Sequence, residues 1–228
     1  MKAVILSGGM GKRLRPITDY VPKSLVPVDN VALIEWQIRY FKKFGIKDLV
    51  VCVGHLSENL ISHLESKKFG ITIQYSVEKV PLGTGGAIKK AKKYLGDNNF
   101  FIINGDIITN INLLKLQTHP NTMAVIPLRT PYGVVNITGD KINKFEEKPE
   151  IFNHWMNAGI YYLNKEIFDY LPSKGNLETI TFPALVKKGK LYVEKFTNVF
   201  WNSIYSHKDV DECVYAMKKT RHEKFLSE

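Results

Sequence analysis

Short apolar runs alternate with amphipathic stretches through the first half of the chain. Lys2–Leu6 is apolar after a single lysine and predicts a buried strand. Ala32–Phe44 carries Ile34, Ile38 and Phe41 at the spacing of one helix face. Leu49–Val53 predicts a second buried strand, and Ser57 stands where it can cap a helix running through Leu64. Ile71, Ile73, Tyr75 and Val77 alternate along a third strand. Gly85–Leu95 predicts a helix with Ile88, Ala91 and Leu95 inward, and Phe100–Ile103 predicts a fourth strand that ends at Asn104-Gly105-Asp106. Strands of this kind, separated by helices, imply a mostly parallel sheet covered on both faces.

The second half changes character. Gly133–Ile137 and Ile142–Glu146 flank Gly139-Asp140, a hairpin signal. Met156–Leu163 and Leu191–Phe196 predict further strands, and Val210, Val214 and Met217 give one face of a closing helix. The expected fold is a Rossmann-like three-layer α/β/α arrangement with a mixed, mostly parallel sheet, in one domain over residues 1–228. Ligands of such sheets sit beyond the carboxyl ends of the strands.

Composition narrows the class. At 228 residues, 44% hydrophobic and 24% charged, the chain suits one globular domain. No apolar run approaches the roughly 20 residues that span a bilayer, so no membrane role is expected. Cys52 and Cys213 lie far apart without metal-type spacing, which suggests two reduced thiols and a cytoplasmic setting. The net charge of +10 comes mostly from lysines scattered over predicted helix surfaces. It fits solvated faces plus a site for polyanionic small molecules. A nucleic-acid partner is the other reading, but no helix-turn-helix, zinc-finger or stacking-platform pattern supports it.

The first strand runs into Leu6-Ser7-Gly8-Gly9-Met10-Gly11-Lys12-Arg13-Leu14. Its glycines let backbone N–H groups crowd around an anion, and Arg13 adds a cationic fork. The bland alternative is a tight turn, and the spacing matches neither a P-loop nor a dinucleotide fingerprint. Gly8–Thr18 nevertheless resembles the signature loop of the sugar-1-phosphate nucleotidylyltransferases. Pro22-Lys23-Ser24-Leu25-Val26-Pro27-Val28, Pro81–Ala87, Asn104-Gly105-Asp106, Tyr132–Val135, Glu147-Lys148-Pro149 and Asn157–Tyr161 then resemble that family's later blocks, in family order. The match covers about residues 1–200. It implies the nucleotide-diphospho-sugar transferase type of fold, with residues 1–110 as a nucleotide-binding half. Residues 111–228 would form a sugar-phosphate-binding half with the closing helix. The hexapeptide-repeat β-helix that some family members append is absent from the sequence; dimerisation through other surfaces stays open.

The resemblance implies substrates: a nucleoside triphosphate and a mannose- or glucose-1-phosphate. It implies that the Gly8–Arg13 loop holds the triphosphate, that Leu6, Ser7, Gly8, Gly9 and Gly11 bind the nucleotide, and that Arg13 lies on the departing pyrophosphate and Lys23 near the α-phosphate. Gly83 and Thr84 would lie against the nucleotide, and Gly133, Glu147 and Asn157 against the sugar, with Lys148 on the sugar phosphate. For Lys23, and for Glu147 with Lys148, the alternatives are a surface lysine and a surface ion pair. The aspartate matching Asp106 binds Mg²⁺ in the family; otherwise Asp106 would serve as an Asx turn or helix cap. A second family aspartate normally sits in Trp-x-Asp-Ile-Gly, where this chain reads Trp201-Asn202-Ser203-Ile204-Tyr205. Asn202 or Ser203 is therefore the candidate second ligand, unless Asp106, nucleotide and water suffice.

Glu78 stands where pyrimidine-specific relatives carry glutamine. A carboxylate only accepts, which suits the N1–H and N2–H donors of guanine and favours GTP; an exposed acid beside Lys79 is the plain alternative. The implied chemistry is in-line attack of a sugar-phosphate oxygen on the α-phosphorus, which needs no enzyme nucleophile. The missing second aspartate also allows a catalytically weak or inactive nucleotide-sugar-binding regulatory homologue. The six histidines are dispersed without metal spacing.

Overall fold

A computed structural model describes residues 1–227. The first half contains β1 (Lys2–Ser7), β2 (Pro27–Val28), β3 (Val31–Ala32), α1 (Leu33–Lys43), β4 (Asp48–Val53), α2 (Ser57–Leu64), β5 (Lys67–Lys68), β6 (Ile71–Val77), α3 (Gly83–Leu95) and β7 (Phe100–Asn104). The second half contains β8 (Ile107–Thr109), β9 (Thr122–Arg129), β10 (Val134–Thr138), β11 (Lys141–Glu146), β12 (Glu150–Leu163), α4 (Phe182–Lys187), β13 (Tyr192–Lys195), β14 (Trp201–Ser203), α5 (His207–Thr220) and α6 (His222–Ser227).

Eight strands form one mixed sheet in the order β13-β9-β12-β7-β1-β4-β6-β5. β1, β4, β6 and β7 run parallel, while β12 is antiparallel to β7 and β9. The apolar runs are continuous because both faces are covered. Ala3 and Ile5 of β1 pack with α1 and α2 on one face, and Val4 packs with α3 and α4 on the other. This is the three-layer arrangement expected from the sequence.

Four local expectations shift. Ser57 does not cap α2: Leu56 occupies the cap position with φ 51°, and no side chain bonds the free amides. The bend leaving β4 draws the Ser57 N–H to Gly54 O at 3.2 Å, which puts Ser57 inside the first turn. In β6 the alternation fails at its end, where Ser76 is buried and Val77 is 39% exposed. β12 begins at Glu150 rather than Met156, because its first half pairs with β9 through register shifts that blur the period. The closing helix α5 buries Cys213 and Met217, with Val210 and Val214 packed at the margin.

The chain crosses from β1 to β4 and β6 on one side, then returns to place β7 on the other. The loops after β1 and β7 therefore open into one crevice, the switch point where such sheets bind ligands. No helix among the described residues is long and apolar enough to cross a membrane.

Candidate active site

A cavity of about 310 Å³ occupies that crevice. Leu6, Ser7, Gly8 and Gly9 line it from the β1 loop, Lys23 and Ser24 from the turn before β2, and Asn104, Gly105 and Asp106 from the end of β7. Glu78, Gly83 and Thr84 line it as well. Gly11 and Arg13 sit on the loop at its margin, anchored by Leu14, which is fully buried under α5.

Asp106 lies in the two-residue turn between β7 and β8. Gln37 of α1 braces that turn by donating from Nε2 to Asn104 O and Ile107 O, each at 2.9 Å. Asp106 Oδ2 pairs with Lys23 Nζ at 2.9 Å, with both side chains mostly covered. Its Oδ1 is buried without a hydrogen-bond partner, as are Ser7 Oγ, Asn104 Oδ1 and Ser203 Oγ. Buried oxygens normally find donors or cations, so the unpaired Asp106 Oδ1 suits a hard cation with phosphate and water completing its shell. β14 pairs with β8 so that Ser203 lies opposite Ile107, and the Ile204 N–H donates to Asp106 O at 2.8 Å. Strand alternation directs Asn202 to the other face. Among the described residues no three His, Cys, Asp or Glu side chains gather into a metal cluster.

Glu78 Oε2 accepts from Leu82 N at 3.0 Å. A Cβ on Gly8 would stand 2.9 Å from Glu78 Oε1, so a side chain there would push the carboxylate aside. Burial raises the Glu78 carboxyl above its usual range, opposed by the Leu82 hydrogen bond and the charge of Lys90.

The Gly83–Gly86 run serves packing. A Cβ on Gly83, which has φ +75°, would meet Asn176 Oδ1 at 2.5 Å and Gly175 O at 2.6 Å. The Gly85 and Gly86 N–H groups donate to Gly175 O at 3.0 and 3.2 Å. Thr84 Oγ1 donates to Glu178 Oε2 and accepts from Leu177 N, both at 2.8 Å. A strap from the second half thus seals the start of α3, and its Asn176 joins the cavity wall.

The sugar-side residues lie outside this cavity. Gly133 and Glu147 adjoin at the base of the β10–β11 hairpin, where a Cβ on Gly133 would stand 3.1 Å from Glu147 Oε2. Lys148, with φ 47°, points its Nζ to Glu212 Oε1 of α5 at 3.4 Å. Asn157 Nδ2 donates to the Tyr161 hydroxyl, and Asn157 Oδ1 accepts from Gly159 N, both at 2.8 Å. Asn176, Ser24, Cys52 and the Tyr205 ring are site neighbours that sequence reasoning missed. Ser24, beside Lys23, and Tyr205, at the end of the Trp201–Tyr205 segment, stand in quoted blocks; Asn176 and Cys52 carried no such signal.

Fold and site together define an α/β protein with a glycine-walled crevice, lined by Lys23 and Asp106, at the switch point of its sheet. The chain belongs to the nucleotidyl transferase family, whose match spans residues 2–219. It is 36% identical over 226 residues to mannose-1-phosphate guanyltransferase 2 of Candida glabrata, covering 92% of this chain and 62% of that one. It is 37% identical over 174 residues to D-glycero-α-D-manno-heptose 1-phosphate guanylyltransferase of Campylobacter jejuni, covering 74% of this chain and 78% of that one. A Bacillus anthracis structure assigned as a glucose-1-phosphate thymidylyltransferase superposes with a TM-score of 0.74 at 26% identity, covering 94% of each chain. The chain spans 62% of the length of the mannose-1-phosphate guanyltransferase.

Proposed function

We propose that the protein is a sugar-1-phosphate nucleotidylyltransferase that uses GTP and a mannose- or glucose-1-phosphate. The observation that carries this reading is one cavity lined by both an acceptor carboxylate and a cation. Glu78 keeps Oε1, the oxygen not held by Leu82 N, as an acceptor for a guanine edge, and Lys23 lies on Asp106 at 2.9 Å. The guanylyltransferase relatives support the same base.

A sugar-phosphate oxygen attacks the α-phosphorus; the new P–O bond forms as the bond to the β-phosphate breaks, and pyrophosphate leaves. The attacking oxygen is already anionic, so no side chain need remove a proton. The glycine loop holds the triphosphate by backbone N–H groups, Lys23 and Arg13 neutralise and orient it, and Lys148 exchanges Glu212 for the sugar phosphate. Glu147 and Asn157 are the sugar-side contacts in this reading. Asp106 Oδ1 and Ser203 Oγ, both unpaired, are the oxygens that would hold Mg²⁺. Bound Mg²⁺ would neutralise and orient the reacting phosphates. Two free, buried cysteines fit a cytoplasmic setting.

Pyrophosphate release tests the proposal, using GTP, UTP, dTTP, CTP and ATP against mannose- and glucose-1-phosphate. GTP-preferring release is expected. No release with any pair refutes the activity and favours a binding-only homologue, the reading that the single carboxylate supports. A UTP or dTTP preference refutes the base assignment.

A further inference from the structure

Tyr205 follows β14 and lies beside the phosphate end of the crevice. Its ring centroid is 4.7 Å from Lys23 Nζ and 5.6 Å from Arg13 Cζ, so one aromatic ring meets two cations. The backbone around it is fixed: Ile204 N donates to Asp106 O at 2.8 Å, and Tyr205 N donates to Asp209 Oδ2 at 2.9 Å. The residue is 48% exposed, so one part of the ring serves the cations while another meets solvent.

Lys23 therefore has two holders, the Asp106 carboxylate and the aromatic ring. Any ligand that engages Asp106 weakens the first and leaves the second. Arg13 and Lys23 also repel each other, and a carboxylate between them would cancel the charge that a polyanion needs. A ring's negative face attracts both without neutralising either. We propose that Tyr205 is a positioning residue that keeps Arg13 and Lys23 gathered as a paired receptor for the diphosphate portion of the ligand. Its place in turnover rests on the activity proposed above; its effect on polyphosphate binding does not.

Calorimetric titration of inorganic pyrophosphate, with Mg²⁺ present, tests this on wild type, Tyr205→Phe and Tyr205→Leu. Tyr205→Phe keeps the ring and is expected to bind within about twofold of wild type, whereas Tyr205→Leu binds about five- to tenfold more weakly. In a Lys23→Gln background the Tyr205→Leu penalty shrinks by at least half, because the ring has lost one of its cations. The proposal is overturned if Tyr205→Leu binds like wild type, if Tyr205→Phe is as weak as Tyr205→Leu, or if the penalty persists in full with Lys23→Gln. Wild-type protein that fails to take up pyrophosphate overturns it as well. Pyrophosphate binding with the expected Tyr205 pattern but no turnover overturns the proposed activity alone.

Discussion

Glu78→Gln tests the base end of the crevice. Glu78 Oε2 accepts from Leu82 N at 3.0 Å, and Oε1 lies against Gly8 on the cavity side. Glutamine keeps this shape but carries one oxygen. If that oxygen retains Leu82 N, the NH₂ faces the N1–H and N2–H donors of guanine. One charge-assisted hydrogen bond is then lost, and two donors confront each other in a half-buried site. The loss is about 2–3 kcal/mol, or about 30- to 150-fold in kcat/KM for GTP. Uracil and thymine, which present an acceptor beside a donor, gain from the amide. Competition of GTP and UTP for one sugar phosphate, with the two nucleotide sugars separated by chromatography, reads the ratio directly. The wild-type preference has a pH signature too. Burial raises the carboxyl's pKa, so as pH falls through that raised value Glu78 protonates, and the GTP preference declines. Glu78→Gln shows no such decline. An unchanged GTP-to-UTP ratio in Glu78→Gln refutes the reasoning.

Four further outcomes are expected. Asp106→Asn lowers kcat by about a hundredfold or more while the thermal unfolding midpoint stays near wild type; pyrophosphate release and calorimetric unfolding check both halves. Ser203→Asp lowers the Mg²⁺ concentration for half-maximal nucleotide binding by about tenfold, because it adds a charged oxygen where an unpaired hydroxyl now sits. Gly83→Ala combines φ +75° with contacts of 2.5 and 2.6 Å to Asn176 Oδ1 and Gly175 O, so it costs about 1–3 kcal/mol in urea unfolding. His222 is buried against Trp36, Phe200 and Phe225, and burial lowers its pKa to about 4. The unfolded imidazole protonates first, so stability falls between about pH 6.5 and pH 4 by up to about 3 kcal/mol, and His222→Phe removes that slope.

The sheet was legible where burial is two-sided. β1, β4 and β7 read as unbroken apolar runs because helices cover both faces. Legibility failed at margins. Val77 ends β6, whose outer neighbour is only the short β5, so burial no longer dictates its side. Ser57 has the chemistry of a cap, yet the bend at Leu56 decides which amides are free. Most of the cavity lining was legible because its residues sit in compact blocks at strand ends. The strap over Gly83–Gly86 was not, since Gly175 and Asn176 lie about ninety residues away and no local period points to the pairing. Gly83, which the resemblance sets against the nucleotide, lines the cavity, and its missing side chain also makes room for Gly175 and Asn176.

If Ser203 stands where the resemblance places a second carboxylate, the proposed site changes its charge balance in a definite direction. Among the described residues that line the crevice, Asp106 and Glu78 are the acids, and Asp106 already faces Lys23. A second aspartate would hold a divalent cation more firmly but would also repel the incoming phosphates until that cation arrived. With serine, the crevice is more positive before any metal binds, which favours polyphosphate capture first and makes the bound phosphates part of the metal's ligand shell. Tyr205 fits that order of events, because it keeps both cations in place without adding another negative charge. On the proposed function, such a site would depend on its nucleotide to complete the metal's shell, so Mg²⁺ affinity is expected to rise with bound triphosphate more steeply than in a two-carboxylate site.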